Sequence, residues 1–557
     1  MRPLYGSRLS MTVATAALFL AFFSPQATAA QKVPIHFESY HGYTATADYL
    51  KTVAKAYSGI TDLLEIGKST MGRPIYVLVV SNQKNGATHG NEYTGTEVCL
   101  YIIDKLVSGY GEDETVTRMV DKNTFYICPV INPDGVFNSV ERGIPQRANS
   151  MNRDEDGDGK RGEDPEAGID LNRNFPEGWF TDDGFAGGTG DYPTSAPETH
   201  AVAEFFSNHR NILMGQFYHT SGGFTFRPMG TAPHSTMNPL DVAVFDFVMG
   251  KKYLEIIGED VPEAWEKPQL LNQFKRKLKE TNANAYAQQY GIYSITTELW
   301  NPLKDIPGLP EIKGASDSTE RALLAYQDEE YGGKLFRAWK PFKHPDLGEG
   351  EIGGWLPQHR VNNALPGKPL VEVCDKHWRF ELFRAELLPD ITITKADTRL
   401  LSTTAGSGKA TVSTSGDTVT IKKGKSGNSV KIIEVTAVIE NRGKLATHIA
   451  EGAQLSCLRE DVVWLLGDPE KVRFLQGTPY QILGVLDGTL TIPGVGGQRA
   501  AAPMGFRRGP SYRPTEVKEG GAGREVKWVI AVEGTTPLKI VVSSQKGGTA
   551  VLDLKVR

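Results

Sequence analysis

Cysteine is scarce in this chain. Its 557 residues hold four, Cys99, Cys128, Cys374 and Cys457, too few to staple a protein of this size, so a disulfide scaffold is excluded. Cys128 lies in the apolar run 124–130 and Cys99 in an apolar helical pattern. Both read first as small buried hydrophobes, with a bridge between them left open. Charge of one sign is also lacking: 61 basic side chains face 66 acidic ones, a net of −5. That balance points to neither nucleic acid nor an anionic membrane surface as partner. Long hydrophobic runs are missing as well, and no membrane span is expected. The one marked apolar stretch, 11–23, follows Arg2 and Arg8 and precedes Ala27-Thr28-Ala29 and Ala30. This is the layout of a signal peptide over residues 1–30, with an uncleaved anchor as the alternative. The mature protein is expected to be exported, to a secreted or periplasmic location.

What is present is a chain too long for one core. From about Tyr40 to Lys343, β-branched runs at 75–80, 124–130, 212–218 and 293–297 alternate with helical stretches at 94–107, 197–208 and 239–257. That alternation marks an α/β domain. A linker is expected from His344-Pro345-Asp346-Leu347-Gly348, followed by a helix over 370–387 that packs back. Beyond Pro389, short β-rich runs at 391–395, 410–421, 430–439 and 526–532 are separated by Gly, Ser, Lys and Asn clusters. They predict an all-β sandwich, with a loop at 496–523 rich in Gly, Arg and Pro. The expected organisation is a signal peptide (1–30), a catalytic domain (31–345), a linker and packing helix (346–389) and a β-sandwich (390–557).

Chemistry gathers at strand ends, where open α/β sheets bind their ligands. His89 and Glu92 stand three apart where a turn opens into a helix, so both can reach one cation. Asn132-Pro133-Asp134-Gly135, His219-Thr220-Ser221 and Glu298 each follow an apolar run. With Asp170-Leu171-Asn172-Arg173-Asn174-Phe175, these five motifs occur in an order that resembles the zinc metallocarboxypeptidase family, of the carboxypeptidase A and B type.

The resemblance covers roughly Tyr40 to Gly354 and implies a mixed eight-stranded sheet flanked by helices. It puts His89, Glu92 and His219 on a zinc. Two imidazoles and one carboxylate suit that ion and leave it an open position. Glu298 matches the family's general base and acid, and Asn172 with Arg173 its receptor for a substrate's free carboxylate. Arg147 is the first candidate for the oxyanion arginine, with Arg153 as competitor. Inside the insert before Asp170, the alternating Asp154, Asp156 and Asp158 resemble the front half of a calcium loop, against a solvated acidic loop as the alternative.

Two departures carry weight. Too few residues separate Val80 from Ala87 for the strand that the family places before this histidine. The run 75–80 is therefore expected to take the sheet position beside His89, or to leave it empty. The family's capping tyrosine also lacks a clear counterpart, with Tyr253 and Tyr286 the nearest. The reading is an exported zinc carboxypeptidase that acts on peptide or protein C-termini. The alternatives are a catalytically impaired zinc- and peptide-binding protein, or a zinc amidase acting on cell-wall peptides.

Overall fold

The computed structural model describes residues 32–81, 83–84, 92–150, 168–177, 179, 188–220, 223–228, 238–257, 283–300, 317–334, 336–344, 348–355, 363–404, 411–415, 418–422, 429–455, 458–490, 492 and 523–554. The signal-peptide stretch, His89, Arg153, the acidic run at 154–158 and most of the loop at 496–523 lie outside them.

Strand β1 (Thr61–Lys68) runs antiparallel to β2 (Pro74–Val80). Both faces of β2 are covered, which is why its sequence is continuously apolar instead of alternating. Then come β3 (Gln83–Lys84) and β4 (Thr124–Ile127), and the order across this sheet is β1-β2-β4-β3. A second sheet holds β5 (Met214–His219), β6 (Phe224–Phe226) and β7 (Tyr293–Glu298), in the order β5-β7-β6. Helices α1 (Tyr43–Ala56) and α2 (Tyr93–Gly109) bury Leu50, Val53, Leu100 and Ile103 in one core, together with α3 (Glu114–Lys122). Helix α4 (Pro197–Asn208) closes the other core, with Val202, Phe205 and Phe206 against Ile75 and Val77. The architecture is a mixed α/β one.

Among the described residues β1–β7 fall into a four-stranded and a three-stranded sheet. The run 75–80, expected beside His89, pairs with β1 and β4, and β4 separates it from β3, whose Gln83 and Lys84 pair parallel with Thr124 and Phe125. His344 and Gly348, expected to open a linker, stand at the ends of two paired strands. Strand β8 (Phe336–His344) returns as β9 (Gly348–Trp355), with His344 opposite Gly348 in the hairpin.

Helix α5 (Lys368–Ala385) packs back as expected and belongs to the same core. Its Leu370, Val373 and Trp378 join the α1–α2 cluster. Its Arg384 bonds both Glu381 oxygens and the Gly215 carbonyl at 2.8 Å, while Tyr218 donates to Glu381 at 3.0 Å. Cys99, Cys128 and Cys374 are free and buried, so the Cys99–Cys128 bridge is not formed.

The C-terminal region is all-β. In chain order come β10 (Ile391–Thr404), β11 (Thr411–Ser415), β12 (Thr418–Lys422), β13 (Val430–Asn441), β14 (Asp461–Leu466) and β15 (Val472–Gln476). They are followed by β16 (Tyr480–Gly484), β17 (Arg524–Glu533), β18 (Leu538–Ser544) and β19 (Gly548–Leu554). Two antiparallel sheets, β10-β13-β17-β15 and β16-β14-β18-β19, enclose Ile433, Val435, Val463, Trp528 and Ile540. The run at 410–421 is a separate hairpin, β11–β12, and not one strand. The sandwich docks firmly on the α/β region. The Asp241 carboxylate accepts from Ala450 N (2.7 Å), Glu451 N (2.8 Å) and the Tyr293 hydroxyl (2.9 Å), and the Lys546 ammonium donates to the Ile212 carbonyl. Among the described residues no helix is long and apolar enough to cross a membrane.

Candidate metal and catalytic site

The site forms where α2 begins and β5 and β7 end. Glu92 immediately precedes α2, whose first turn is pinned from far along the chain: Thr94 N and Oγ1 both donate to Asn363 Oδ1 at 3.1 Å. One turn on, Gly95 lies against β5. A Cβ there would sit 3.0 Å from Tyr218 Cβ and 3.4 Å from its carbonyl oxygen. A larger residue there needs the strand or Tyr218 to give by a few tenths of an ångström. That close approach brings Glu92 to His219, the last residue of β5, and Oε2 of Glu92 lies 2.6 Å from Nδ1 of His219.

Glu298 ends β7 in register with His219, with Leu299 N donating to the His219 carbonyl at 2.9 Å. Burial pushes the His219 imidazole down, but Glu92 and then Glu298 more than reverse this, against Arg147, and its pKa is raised. Arg147 completes the cluster. Its Nη1 meets Glu92 Oε1 at 3.1 Å and its Nε meets Asp170 Oδ2 at 3.0 Å. Burial lowers its pKa, but Asp170, Glu92 and Glu298 raise it further, so the guanidinium stays charged. The structure therefore gathers Glu92, His219, Glu298 and Arg147.

Asn172 and Arg173 lie on a single 3-10 turn (Leu171–Arg173), next to Asp170. The Asp170 side chain caps Asn172 N at 3.0 Å and its carbonyl accepts from Arg173 N at 2.8 Å. Asn174 nails the turn down, donating to Thr189 O (2.8 Å), Tyr192 O (3.0 Å) and Ser195 Oγ (3.0 Å). Phe175 is fully buried beneath it.

The Asn132-Pro133-Asp134-Gly135 motif is scaffold. Asn132 Nδ2 holds the carbonyls of Arg147 (3.2 Å) and Ala148 (3.0 Å), which sets the backbone of the oxyanion candidate. Asp134 accepts from Ser69 Oγ, Met71 N and Arg73 Nη1 at 2.7 to 3.0 Å. Neither tyrosine candidate for the cap stands out. Tyr253 is buried against Phe380, and Tyr286 hydrogen-bonds Tyr290 at 2.7 Å. Sequence reasoning gave no role to Asp170 or Asn132. The signal was there for Asp170, since an aspartate two residues before a backbone N–H is a common local cap.

An imidazole nitrogen and a carboxylate oxygen this close, at the open end of parallel strands, fit a zinc donor set. The third member, His89, lies outside the described residues. Among those residues no group of three or more His, Cys, Asp or Glu is placed to hold a metal.

The site lies at the strand ends of a mixed α/β fold. The profile of the family described as zinc carboxypeptidase matches residues 46–308. A second profile, for a domain of unknown function (DUF8731), matches residues 416–555 within the sandwich region. Carboxypeptidase M of Mus musculus is 31% identical over 191 residues, which is 32% of this chain and 38% of that protein. Carboxypeptidase B2 of Bos taurus is 27% identical over 192 residues, 32% of this chain and 43% of that one. The chain thus spans less than half the length of these relatives. Among solved structures, thrombin activatable fibrinolysis inhibitor shows 22% identity and a TM-score of 0.39, over 47% of this chain and 69% of that one.

Proposed function

We propose that the chain is an exported zinc carboxypeptidase that removes the C-terminal residue of peptides or proteins. The observation that carries the reading is the convergence of Glu92, His219, Arg147 and Glu298 at one strand end, beside the Asn172–Arg173 turn. His89, Glu92 and His219 would hold zinc, which supplies Lewis acidity and lowers the pKa of a water toward ~7. Glu298 takes the proton of the attacking water and delivers it to the leaving amine. Arg147 stabilises the charge that develops on the scissile carbonyl oxygen. Arg173, planar and permanently charged, grips the terminal carboxylate with two parallel bonds, and the Asn172 amide adds a third. Export rests on residues 1–30. Calcium at Asp154, Asp156 and Asp158 rests on the sequence alone. A melting temperature indifferent to millimolar calcium in zinc-replete protein would remove it.

The receptor decides the reaction class. A C-terminal amide leaves Arg173 desolvated and without its carboxylate, a loss on the order of 3–5 kcal/mol. That is roughly two to three and a half decades in kcat/KM. A free-acid peptide is therefore cleaved at least ~100-fold faster than its amide, and Arg173→Ala removes most of that preference. Equal wild-type rates on acid and amide would refute the carboxypeptidase reading and leave a zinc hydrolase.

A further inference from the structure

We infer that Asp170 is the positioning residue that couples the oxyanion arginine to the terminal-carboxylate receptor, so that one buried carboxylate sets both. The inference rests on the carboxypeptidase reading above and goes beyond it by assigning a role to a residue to which that reading gives none.

Asp170 is 5% exposed, and its two oxygens serve different partners. Oδ2 accepts from Arg147 Nε at 3.0 Å, and Oδ1 accepts from Asn172 N at 3.0 Å. Its main chain extends the same junction: the carbonyl accepts from Arg173 N at 2.8 Å, and the N–H donates to Gly188 O at 3.1 Å. Arg147 needs such an anchor, because its side chain is 44% exposed and would otherwise sample many rotamers. Binding at Nε and Nη1 fixes the plane of the guanidinium and leaves Nη2 without a bond among the described residues. That edge can meet a carbonyl oxygen. Asn172, held by the other carboxylate oxygen, and Arg173, held by the Asp170 carbonyl, form the proposed receptor for the far end of the same substrate residue. A peptide cut next to its terminus needs these two contacts one residue apart, and Asp170 fixes that spacing.

Two variants separate the two bonds. Asp170→Asn keeps one carbonyl oxygen for the short local bond to Asn172 N, but presents an N–H₂ group to the Arg147 Nε–H. Arg147 is then repelled while the receptor turn stays. The expected result is a fall in kcat of roughly 10- to 100-fold, part of what losing one oxyanion donor costs. The ratio of rates on a free-acid peptide and its amide stays within about twofold of wild type. Asp170→Ala loses both bonds, and the acid-to-amide ratio falls roughly tenfold or more as well. Asp170→Glu, which keeps the charge, recovers part of kcat, and serves if the alanine variant fails to fold. Zinc content by elemental analysis and melting temperature are read on each protein. Wild-type kcat and ratio in both variants would overturn the coupling. So would equal losses on acid and amide in both variants that track only lost zinc or lost folded protein. A wild type without acid preference refutes the carboxypeptidase reading itself, and the coupling with it. A wild type with that preference, beside an indifferent Asp170→Asn, refutes the coupling alone.

Discussion

At the scale of single residues, the site depends on where side chains are aimed. Glu298 faces His219 across paired strands and interacts with Arg147, the geometry on which its proposed role as base rests. Glu298→Gln keeps the shape and removes the proposed base. Turnover is expected to fall by roughly 10²- to 10⁴-fold, with zinc retained. Unchanged kcat in a zinc-loaded variant would move the base elsewhere. The sequence displays such residues well, since Glu298 and His219 end apolar runs and Arg147 and Arg173 are charged side chains in or near recognisable motifs. Residues that act by fit are harder to see. The role of Gly95 depends on Tyr218, and that of Asn132 on the carbonyls of Arg147 and Ala148. Neither partner can be read from local spacing.

Among the elements, α5 shows how a helix outside the family match (46–308) supports the strand that presents His219. Its His377 is 2% exposed, packed edge-on to Tyr218 and tilted against Tyr253. Burial, and then Lys376, push its pKa down to about 3. A histidine depressed below its unfolded value stabilises the fold above pH ~6.5, and that contribution is lost as pH falls toward 3. The full effect is on the order of 5 kcal/mol. His377→Leu should therefore flatten the loss of stability between pH 6.5 and 3, read from urea midpoints. An identical slope in the variant would place the acid sensitivity elsewhere. The helix itself is legible in advance, as are β2, β5 and β7, because each is a long periodic or unbroken apolar run. Strand β3 is not: two residues carry no pattern. The hairpin of β8 and β9 is hidden for the opposite reason. Pro and Gly at its turn have the composition of a linker, and only the pairing of His344 with Gly348 tells them apart.

For the whole molecule, the sandwich and the α/β region share one buried carboxylate. Asp241 is fully buried and bonds β7 through Tyr293 and the sandwich through Ala450 and Glu451. Around it, Leu213, Phe245 and Tyr293 pack with Phe380, Leu445 and Ile449. Asp241→Ala leaves two N–H groups and a phenol without this acceptor, a cost of about 3 kcal/mol or more. Calorimetry should show a lower transition that begins to split in two as the regions uncouple. A single transition at the wild-type temperature would show that the junction holds without it.

Distance along the chain has a consequence in time. The Tyr40 hydroxyl bonds the carbonyl of Ala364, 324 positions later, and Lys546 reaches back 334 positions to Ile212. At about 5–20 residues per second, the partners of the first strands and helices emerge roughly 15–65 s after them. The α/β core takes in Ala364 and helix α5, so it stays incomplete, and the chain threadable, until about residue 385 has been made. Chains stopped at residue 345 should be digested by added protease as readily as an unfolded polypeptide. Protease resistance in those chains would show that the core closes early.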